Sequence, residues 1–203
     1  MSLSKEQITG LILAGGKGSR MDGVDKGLQE VSGAPMVLHV LNRLRPQVDS
    51  LIINANRHLD EYRKFGPPVC SDAIEGYAGP LAGIHAGLLQ CRTDYLVIVP
   101  CDSPLICSDL VQRLADGLSD KQIDAVVAVT GSGAHLQRHP VFMLLRTSLL
   151  KNLSSFLEAG GRKVDNWLTS VRCAEVFFEN DTAFLNVNSR CEIDALPKLP
   201  MPK

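Results

Sequence analysis

Four continuous apolar runs recur along the chain, and each has the length of a short strand. They are ITGLIL at 8–13, SLIIN at 50–54, DYLVIVP at 94–100 and IDAVVAV at 123–129. Apolar and polar residues do not alternate within these runs. The pattern therefore predicts strands that are buried on both faces.

Segments with apolar residues at helical spacing lie between these runs. Helices are predicted at 35–45, 58–65, 80–91 and 107–118, with Pro35 suited to a first turn and Ser108 to an N-cap. Strand and helix thus alternate along the chain. This order predicts an α/β protein, a three-layer α/β/α sandwich with a mostly parallel sheet.

The pattern changes after residue 130. Strands are predicted at 141–146 (VFMLLR) and 174–178 (AEVFF), and short helices at 148–158 and 163–171. The GSG at 131–133 is typical of a mobile loop or a simple turn.

The composition excludes several classes of protein. With 203 residues, 45% of them hydrophobic, the chain can bury the core of a single domain, and a net charge of -1 argues against a protein that coats nucleic acid or an anionic membrane. The six cysteines are scattered and indicate neither a zinc site nor a disulfide framework. No apolar run approaches the roughly 20 residues that cross a bilayer. We expect a cytoplasmic protein with reduced thiols.

Polar residues follow each predicted strand at its carboxyl end. Ala14 to Arg20 follow the first strand, Asn54, Ala55 and Asn56 the second, Ser71 and Asp72 a short PPVC run, and Cys101, Asp102 and Ser103 the strand at 94–100. Ligands of open parallel sheets bind beyond the carboxyl ends of the strands. The sequence therefore predicts a ligand site at this edge.

The first of these segments is rich in glycine and positive charge. Gly15, Gly16 and Gly18 allow consecutive N–H groups to turn toward an anion, and Arg20 and Lys26 can flank a polyphosphate. The spacing matches neither a Walker A loop nor a dinucleotide fingerprint, whose third glycine would fall at Met21. A solvent-exposed loop with incidental charges is the alternative.

Several strings together resemble a known family. LAGGKGSRM at 13–21 and DKG at 25–27 are similar to nucleotidyltransferases of the glycosyltransferase-A-like superfamily. With GPLAGI at 79–84, PCDSP at 100–104, HPVF at 139–142 and FLNVNS at 184–189, nearly the whole chain resembles the molybdenum cofactor guanylyltransferase family. Two places depart from the family pattern: Asp22 stands where glycine is usual, and Gln137 with Arg138 where Arg-Pro is common.

The resemblance implies a reaction, a metal and a set of residues. GMP from GTP would join the terminal phosphate of molybdopterin, with pyrophosphate leaving, and Mg²⁺ would bind Asp102. The catalytic residues would be Arg20, Lys26 and Asp102. The nucleotide would contact Leu13, Ala14, Gly15, Gly16, Gly18, Lys26, Asn54, Asp72, Gly79, Pro80 and Asp102. From the residues alone, Asn54, Asp72 and Asp102 could also serve as turn or cap residues, and the glycines near 79–83 could simply allow close helix packing.

The resemblance also assigns a pterin side. It places His139, Asn186 and Asn188 there, so that about 6–130 would bind the nucleotide and about 131–203 the pterin within one domain of 1–203. A histidine before proline is often structural, and the two asparagines could equally join a final helix to the sheet. Transient contacts with proteins that deliver the cofactor or mature molybdoenzymes are also implied.

Two rival functions stay open at this point. One is a cytidylyltransferase that acts on the same cofactor or on another small phosphate. The other is a catalytically silent nucleotide-binding regulator. The presence of Arg20, Lys26 and Asp102 disfavours the silent form, because a degenerate copy is expected to lose one of them.

Overall fold

Strands and helices alternate along the chain. The computed structural model describes residues 3–15, 25–74, 79–118, 120 and 122–201. The strands are β1 (Ile8–Leu13), β2 (Glu30–Val31), β3 (Ala34–Pro35), β4 (Ser50–Asn54), β5 (Val69–Cys70), β6 (Tyr95–Pro100), β7 (Ala125–Thr130), β8 (Gln137–Arg146) and β9 (Cys173–Phe177). The helices are α1 (Met36–Leu44), α2 (Leu59–Arg63), α3 (Pro80–Gln90), α4 (Leu110–Gly117), α5 (Leu150–Glu158), α6 (Val164–Leu168) and α7 (Arg190–Asp194).

Seven of the described strands form one sheet in the order β5-β4-β1-β6-β8-β7-β9. β1 pairs in parallel with both β4 and β6, and β7 pairs in parallel with β9. β8 runs antiparallel to its neighbours β6 and β7. The prediction of a mostly parallel sheet is confirmed.

Helices cover both faces of this sheet, and the sheet separates the core into two apolar layers. On one face, Leu41 of α1 and Leu114 of α4 pack against Ile12 and Val97 of the strands. On the other face, α3, α5 and α6 pack against the sheet, and Trp167 of α6 is fully buried. Each such side chain contributes about 2 kcal/mol by leaving water. The predicted three-layer α/β/α sandwich is confirmed.

The first turn of α4 differs from the prediction. The helix begins at Leu110 after Asp109, so Ser108 is not its N-cap. The side chain of Gln47 supplies the missing partner instead, since its Oε1 accepts from the N–H of Val111 at 3.0 Å and its Nε2 donates to the carbonyl of Cys107 at 3.0 Å. A side chain distant in sequence has taken the capping role.

The chain beyond residue 130 returns to the same sheet. β8 begins four residues earlier than the predicted strand at 141–146, and Gly131 and Gly133 lie in a turn with φ of +89° and +56°. β8 lies between β6 and β7, so both predicted parts of the chain contribute neighbouring strands. The functional division near residue 130 stays a prediction.

Two sequence-based expectations concern thiols and membranes. All six cysteines, each within the described residues, are free. Among the residues that the structure describes, no helix has both the length and the apolar character to cross a membrane.

Candidate functional site

The ends of β1 and β6 bring two motifs to the same edge of the sheet. Leu13 is in register with Pro100, and the N–H of Cys101 donates to the carbonyl of Leu13 at 3.0 Å. Asp102 is the next residue along the chain. The start of the glycine segment, Ala14 and Gly15, therefore lies beside the loop that carries Asp102.

The DKG motif forms a short turn that presents Lys26. Asp25 caps the 3-10 turn Lys26–Leu28, and its Oδ1 accepts from the N–H of Gly27 at 3.2 Å and from the hydroxyl of Tyr62 at 2.6 Å. A Cβ atom on Gly27 would lie 2.5 Å from that hydroxyl oxygen. The aspartate and the glycine therefore fix the turn against α2, and the lysine between them is left to face the site.

Lys26 and Asp102 form the centre of this edge. The Nζ of Lys26 lies 3.2 Å from Oδ2 of Asp102 and also donates to Oδ1 of Asn188. Only 13% of the Asp102 side chain is exposed. Burial raises the pKa of Asp102, and the neighbouring Lys26 charge opposes that rise.

The second oxygen of Asp102 fits a metal ligand. Its Oδ1 is buried and has no hydrogen-bond partner in the described part of the chain. A buried carboxylate oxygen without a donor is suited to a hard divalent cation. No group of three or more His, Cys, Asp or Glu side chains that could hold a metal occurs among the described residues. Substrate phosphates and water would therefore have to supply the other ligands, which is the common arrangement for magnesium.

Asn54 and Asp72 meet at the neighbouring strand ends. Asn54, which is 2% exposed, donates from Nδ2 to Oδ1 of Asp72 at 3.0 Å. The carbonyl of Asn54 accepts from the N–H of Ala14 at 2.8 Å. Asn56, two residues further, donates from Nδ2 to the other carboxylate oxygen of Asp72 at 2.8 Å.

Small residues let the first turns of α3 approach these groups. Gly79 has a φ of +67° and Pro80 is the first residue of α3. A Cβ atom on Gly83 would lie 2.4 Å from Oδ1 of Asn54 and 2.8 Å from Cδ2 of Leu13. Gly83 therefore allows α3 to pack closely against the sheet, which is one of the two roles predicted for the glycines of this segment.

Asn186 and Asn188 lie next to the Asp102 loop. Ser103 donates from Oγ to Oδ1 of Asn186 at 2.9 Å, and the N–H of Val187 donates to the carbonyl of Asp102 at 2.8 Å. Together with the bond between Asn188 and Lys26, these contacts join the 186–188 segment to the nucleotide side of the predicted site. Their role toward the pterin stays a prediction.

His139 lies among aromatic rings. It is 9% exposed, its Nε2 is 2.9 Å from Oγ1 of Thr130, and its ring stacks on Phe184 with centroids 4.7 Å apart. Burial lowers the pKa of His139 and favours the neutral ring. These contacts describe a packing role, and its predicted contact with the pterin is untested.

The structure adds residues to the predicted site, and several predicted residues lie in the part of the chain that it does not describe. Gly16, Gly18, Arg20 and Asp22 lie outside the described residues. Asp25, Asn56 and Tyr62 were not among the predicted site residues. Asn56 follows a strand end and Asp25 belongs to the DKG motif, so both carried a signal. Tyr62 carried none beyond its place on an amphipathic helix.

Lys26 and Asp102, whose Oδ1 has no hydrogen-bond partner among the described residues, lie at the carboxyl edge of the parallel strands. This arrangement fits the class of nucleotidyltransferases, and a family comparison agrees. The family model of the MobA-like NTP transferase domain matches residues 10–172. The chain belongs to the MobA-like NTP transferase family.

Curated relatives match nearly the whole length of the chain. It is 49% identical to a molybdenum cofactor guanylyltransferase of Bordetella petrii, covering 96% of this chain and 100% of the relative. It is 48% identical to a protein of the same name from Cupriavidus pinatubonensis, covering 94% and 96%.

Solved structures share the fold at lower identity. A molybdopterin-guanine dinucleotide biosynthesis protein A from Archaeoglobus fulgidus superposes with a TM-score of 0.72 at 20% identity, over 92% of this chain and 95% of that one. A 4-diphosphocytidyl-2C-methyl-D-erythritol synthase from Anaerococcus prevotii gives 0.73 at 12% identity, over 95% and 97%. Since the fold is shared with a protein named for a cytidyl product, the fold alone does not select the nucleotide.

Proposed function

We propose that this protein transfers GMP from GTP to the terminal phosphate of molybdopterin, which forms the guanine dinucleotide and pyrophosphate. One observation carries the proposal: Lys26 and Asp102 meet at the carboxyl edge of β1 and β6, and a buried oxygen of Asp102 has no partner among the described residues. The names of relatives at 48–49% identity support guanylyl transfer in particular.

The proposed reaction is a phosphoryl substitution. An oxygen of the terminal phosphate of molybdopterin attacks the α-phosphorus of GTP, and the bond between this phosphorus and the oxygen bridging to the β-phosphorus breaks. Pyrophosphate leaves with that oxygen. The attacking phosphate is already ionised at neutral pH, so the site needs charge neutralisation and alignment more than a general base.

Lys26 and Asp102 divide these tasks. Asp102 would hold Mg²⁺ through its unpartnered oxygen, and the bound ion would neutralise phosphate charge. The three donors of the Lys26 ammonium can be shared between Asp102, Asn188 and a phosphate oxygen. Arg20, with the N–H groups of Gly16 and Gly18, would hold the rest of the triphosphate.

The nucleoside would lie at the neighbouring strand ends. Leu13, Ala14 and Gly15 would approach it through the backbone, while Asn54 and Asp72 offer an amide and a carboxylate to the base or ribose. Gly79 and Pro80 open the helix next to these groups. The pterin would lie on the other side of Lys26, toward Asn186 and Asn188, with residues of about 131–203 and transient protein partners serving that side.

The proposal is tested by supplying α-phosphate-labelled GTP, CTP or ATP with molybdopterin and Mg²⁺, and following the label into the dinucleotide. We expect transfer from GTP. Lys26→Ala should lower the rate by about a hundredfold or more, as the loss of a charged transition-state contact does. Lys64→Ala is the matched control, because Lys64 is exposed on the surface and pairs with Glu61.

Other outcomes would replace the proposal. Transfer from CTP in preference to GTP would identify a cytidylyltransferase of the same cofactor. Tight GTP binding without transfer to molybdopterin would identify a silent nucleotide-binding regulator.

A further inference from the structure

Asn56 and Asp72 are joined by a reciprocal pair of hydrogen bonds. The amide Nδ2 of Asn56 donates to Oδ2 of Asp72 at 2.8 Å, and the amide Oδ1 of Asn56 accepts from the backbone N–H of Asp72 at 2.9 Å. One side chain thus grips both the main chain and the carboxylate of the other residue. This closed ring of contacts restricts the side-chain torsions of Asp72.

Both oxygens of the Asp72 carboxylate are fixed by amides. Asn54 donates to Oδ1 and Asn56 to Oδ2, while Ser71 anchors the same segment by donating from Oγ to the carbonyl of Ala55 at 2.9 Å. Within the described part of the chain, Asp72 takes part in none of the ion pairs. The carboxylate is half-buried and oriented, and no cation of the described residues forms an ion pair with it. Such an arrangement leaves its charge available to a ligand.

The pair also touches the start of the glycine segment. A Cβ atom on Gly15 would lie 3.0 Å from Nδ2 of Asn56 and 3.0 Å from Oδ1 of Asn54. The oriented carboxylate and the first backbone groups of the glycine turn therefore belong to one packed unit. A nucleotide whose phosphates follow that turn would have its nucleoside end near Asp72.

Guanine is the base that an oriented carboxylate recognises best. It presents two adjacent donors, N1–H and the 2-amino group, and each carboxylate oxygen has a second lone pair to accept one of them. Hypoxanthine lacks the 2-amino group. Adenine presents an acceptor at N1, which a carboxylate would repel.

We propose that Asn56 is a positioning residue for guanine selectivity: it holds the Asp72 carboxylate in the orientation that accepts both N1–H and the 2-amino group. This inference rests on the proposed function, because it takes GTP as the nucleotide. It assigns Asn56 no contact with the reacting atoms.

The test measures dissociation constants of GTP, ITP and ATP with Mg²⁺ for the full chain and its variants. ITP carries hypoxanthine, so the ratio of ITP to GTP dissociation constants reports the 2-amino contact. Asn56→Ala should reduce this ratio by about tenfold, the change expected when one hydrogen bond to a charged group is lost. Asn56→Asp should reduce it at least as much, because a second carboxylate would face Oδ2 of Asp72. Asn166→Ala, which removes an exposed amide on α6, should leave the ratio unchanged.

Equal weakening of GTP and ITP in Asn56→Ala, or no change in either, would overturn the inference, since a purely structural role does not alter the ratio. If Asn56→Ala fails to fold, Asn56→Gln replaces it, because glutamine keeps the amide and displaces it by one methylene. A lower ratio of ITP to GTP dissociation constants in this variant supports the inference, and an unchanged ratio overturns it. A wild-type chain that binds GTP and ITP equally also overturns it. Failure of the proposed function has a different signature: selective GTP binding without GMP transfer to molybdopterin.

Discussion

The hydroxyl of Tyr62 donates a 2.6 Å hydrogen bond to Oδ1 of Asp25, and this bond joins a fully buried side chain of α2 to the turn that carries Lys26. Burial raises the pKa of Tyr62, which keeps the hydroxyl protonated as a donor. The position of Lys26 therefore depends on a residue that lies within the core. Mutations of that core residue should affect turnover as well as stability.

Tyr62→Phe should lower the free energy of unfolding by about 1–2 kcal/mol, because it removes one buried hydrogen bond. It should also lower kcat for GMP transfer, since Asp25 then holds the Lys26 turn less firmly. Urea unfolding and steady-state kinetics measure the two effects. Tyr95→Phe is the control, because Tyr95 accepts a 2.9 Å bond from Arg146 at the far end of β6. If both variants lose kcat equally at equal folded fraction, the coupling to Lys26 is wrong.

Asp102→Asn should separate stability from activity. Burial raises the pKa of Asp102 even though the Lys26 charge opposes that rise, so folding disfavours the ionised carboxylate, and replacing it by a neutral amide should not lower the free energy of unfolding. The rate of GMP transfer should fall by about a hundredfold or more, because an uncharged amide replaces the carboxylate that is proposed to hold the metal. Asp124→Asn is the matched control, because Asp124 forms an ion pair with Arg172 at 2.7 Å and is not among the predicted site residues. That control should keep its activity, and loss of activity there would point to a general effect of removing carboxylates.

Gly83→Ala should weaken nucleotide binding through Asn54. The added methyl would lie 2.4 Å from Oδ1 of Asn54, so the amide that holds Asp72 must shift. Gly87→Ala, one turn further on α3, would instead press on Leu11 in the core at 2.5 Å. Both should cost about 1–3 kcal/mol of stability by overpacking. Calorimetric titration with GTP should detect a lower affinity in Gly83→Ala alone, and equal affinities would contradict the proposed role of Asn54.

His139 should make the unfolding free energy depend on pH. Its pKa in the folded chain lies below the ordinary value of 6.5, so the unfolded chain binds more protons as the pH falls through that value. The contribution of His139 to stability is therefore present above pH 6.5 and is lost toward its lower folded pKa. His139→Phe, which keeps a ring against Phe184, should show a shallower loss of stability between neutral and mildly acidic pH. An unchanged slope would show that the histidine is equally protonated in both states.

The same variant addresses the predicted pterin contact of His139. A residue that only packs between rings leaves the KM for molybdopterin unchanged when its ring is replaced by phenylalanine. A rise in that KM would instead support a contact with the pterin.

Local sequence pattern was sufficient where burial decides the structure. β1 and β4 coincide with the predicted strands at 8–13 and 50–54. A short continuous apolar run between two layers of helices is buried on both faces, and this is the pattern of a central strand in a parallel sheet. The first residues of β8, QRHP, are polar and include a proline, so they gave no strand signal. The insertion of β8 between β6 and β7 depends on pairing distant segments, for which the sequence carries no local mark.

The site shows the same contrast. The rule that ligand sites lie beyond parallel strands was enough to predict that Asn54, Asp72 and Asp102 lie at one edge, and Lys26 was predicted separately from the glycine-rich segment. The bond between Lys26 and Asn188 joins residues 162 positions apart and could not be inferred from spacing. Asn56 was visible as a polar residue after a strand, but its reciprocal bonds with Asp72 appear only when β4 and β5 are paired.

The contact of Asn188 with Lys26 has a consequence for synthesis of the protein. A growing chain that has emerged only as far as β7 already holds Lys26 and Asp102, yet it lacks Asn188, which follows β9 in the chain. The bond between Lys26 and Asn188 can therefore form only after β8 and β9 have been synthesised. A chain arrested before residue 186 would carry Lys26 and Asp102 without the 186–188 segment that contacts both of them.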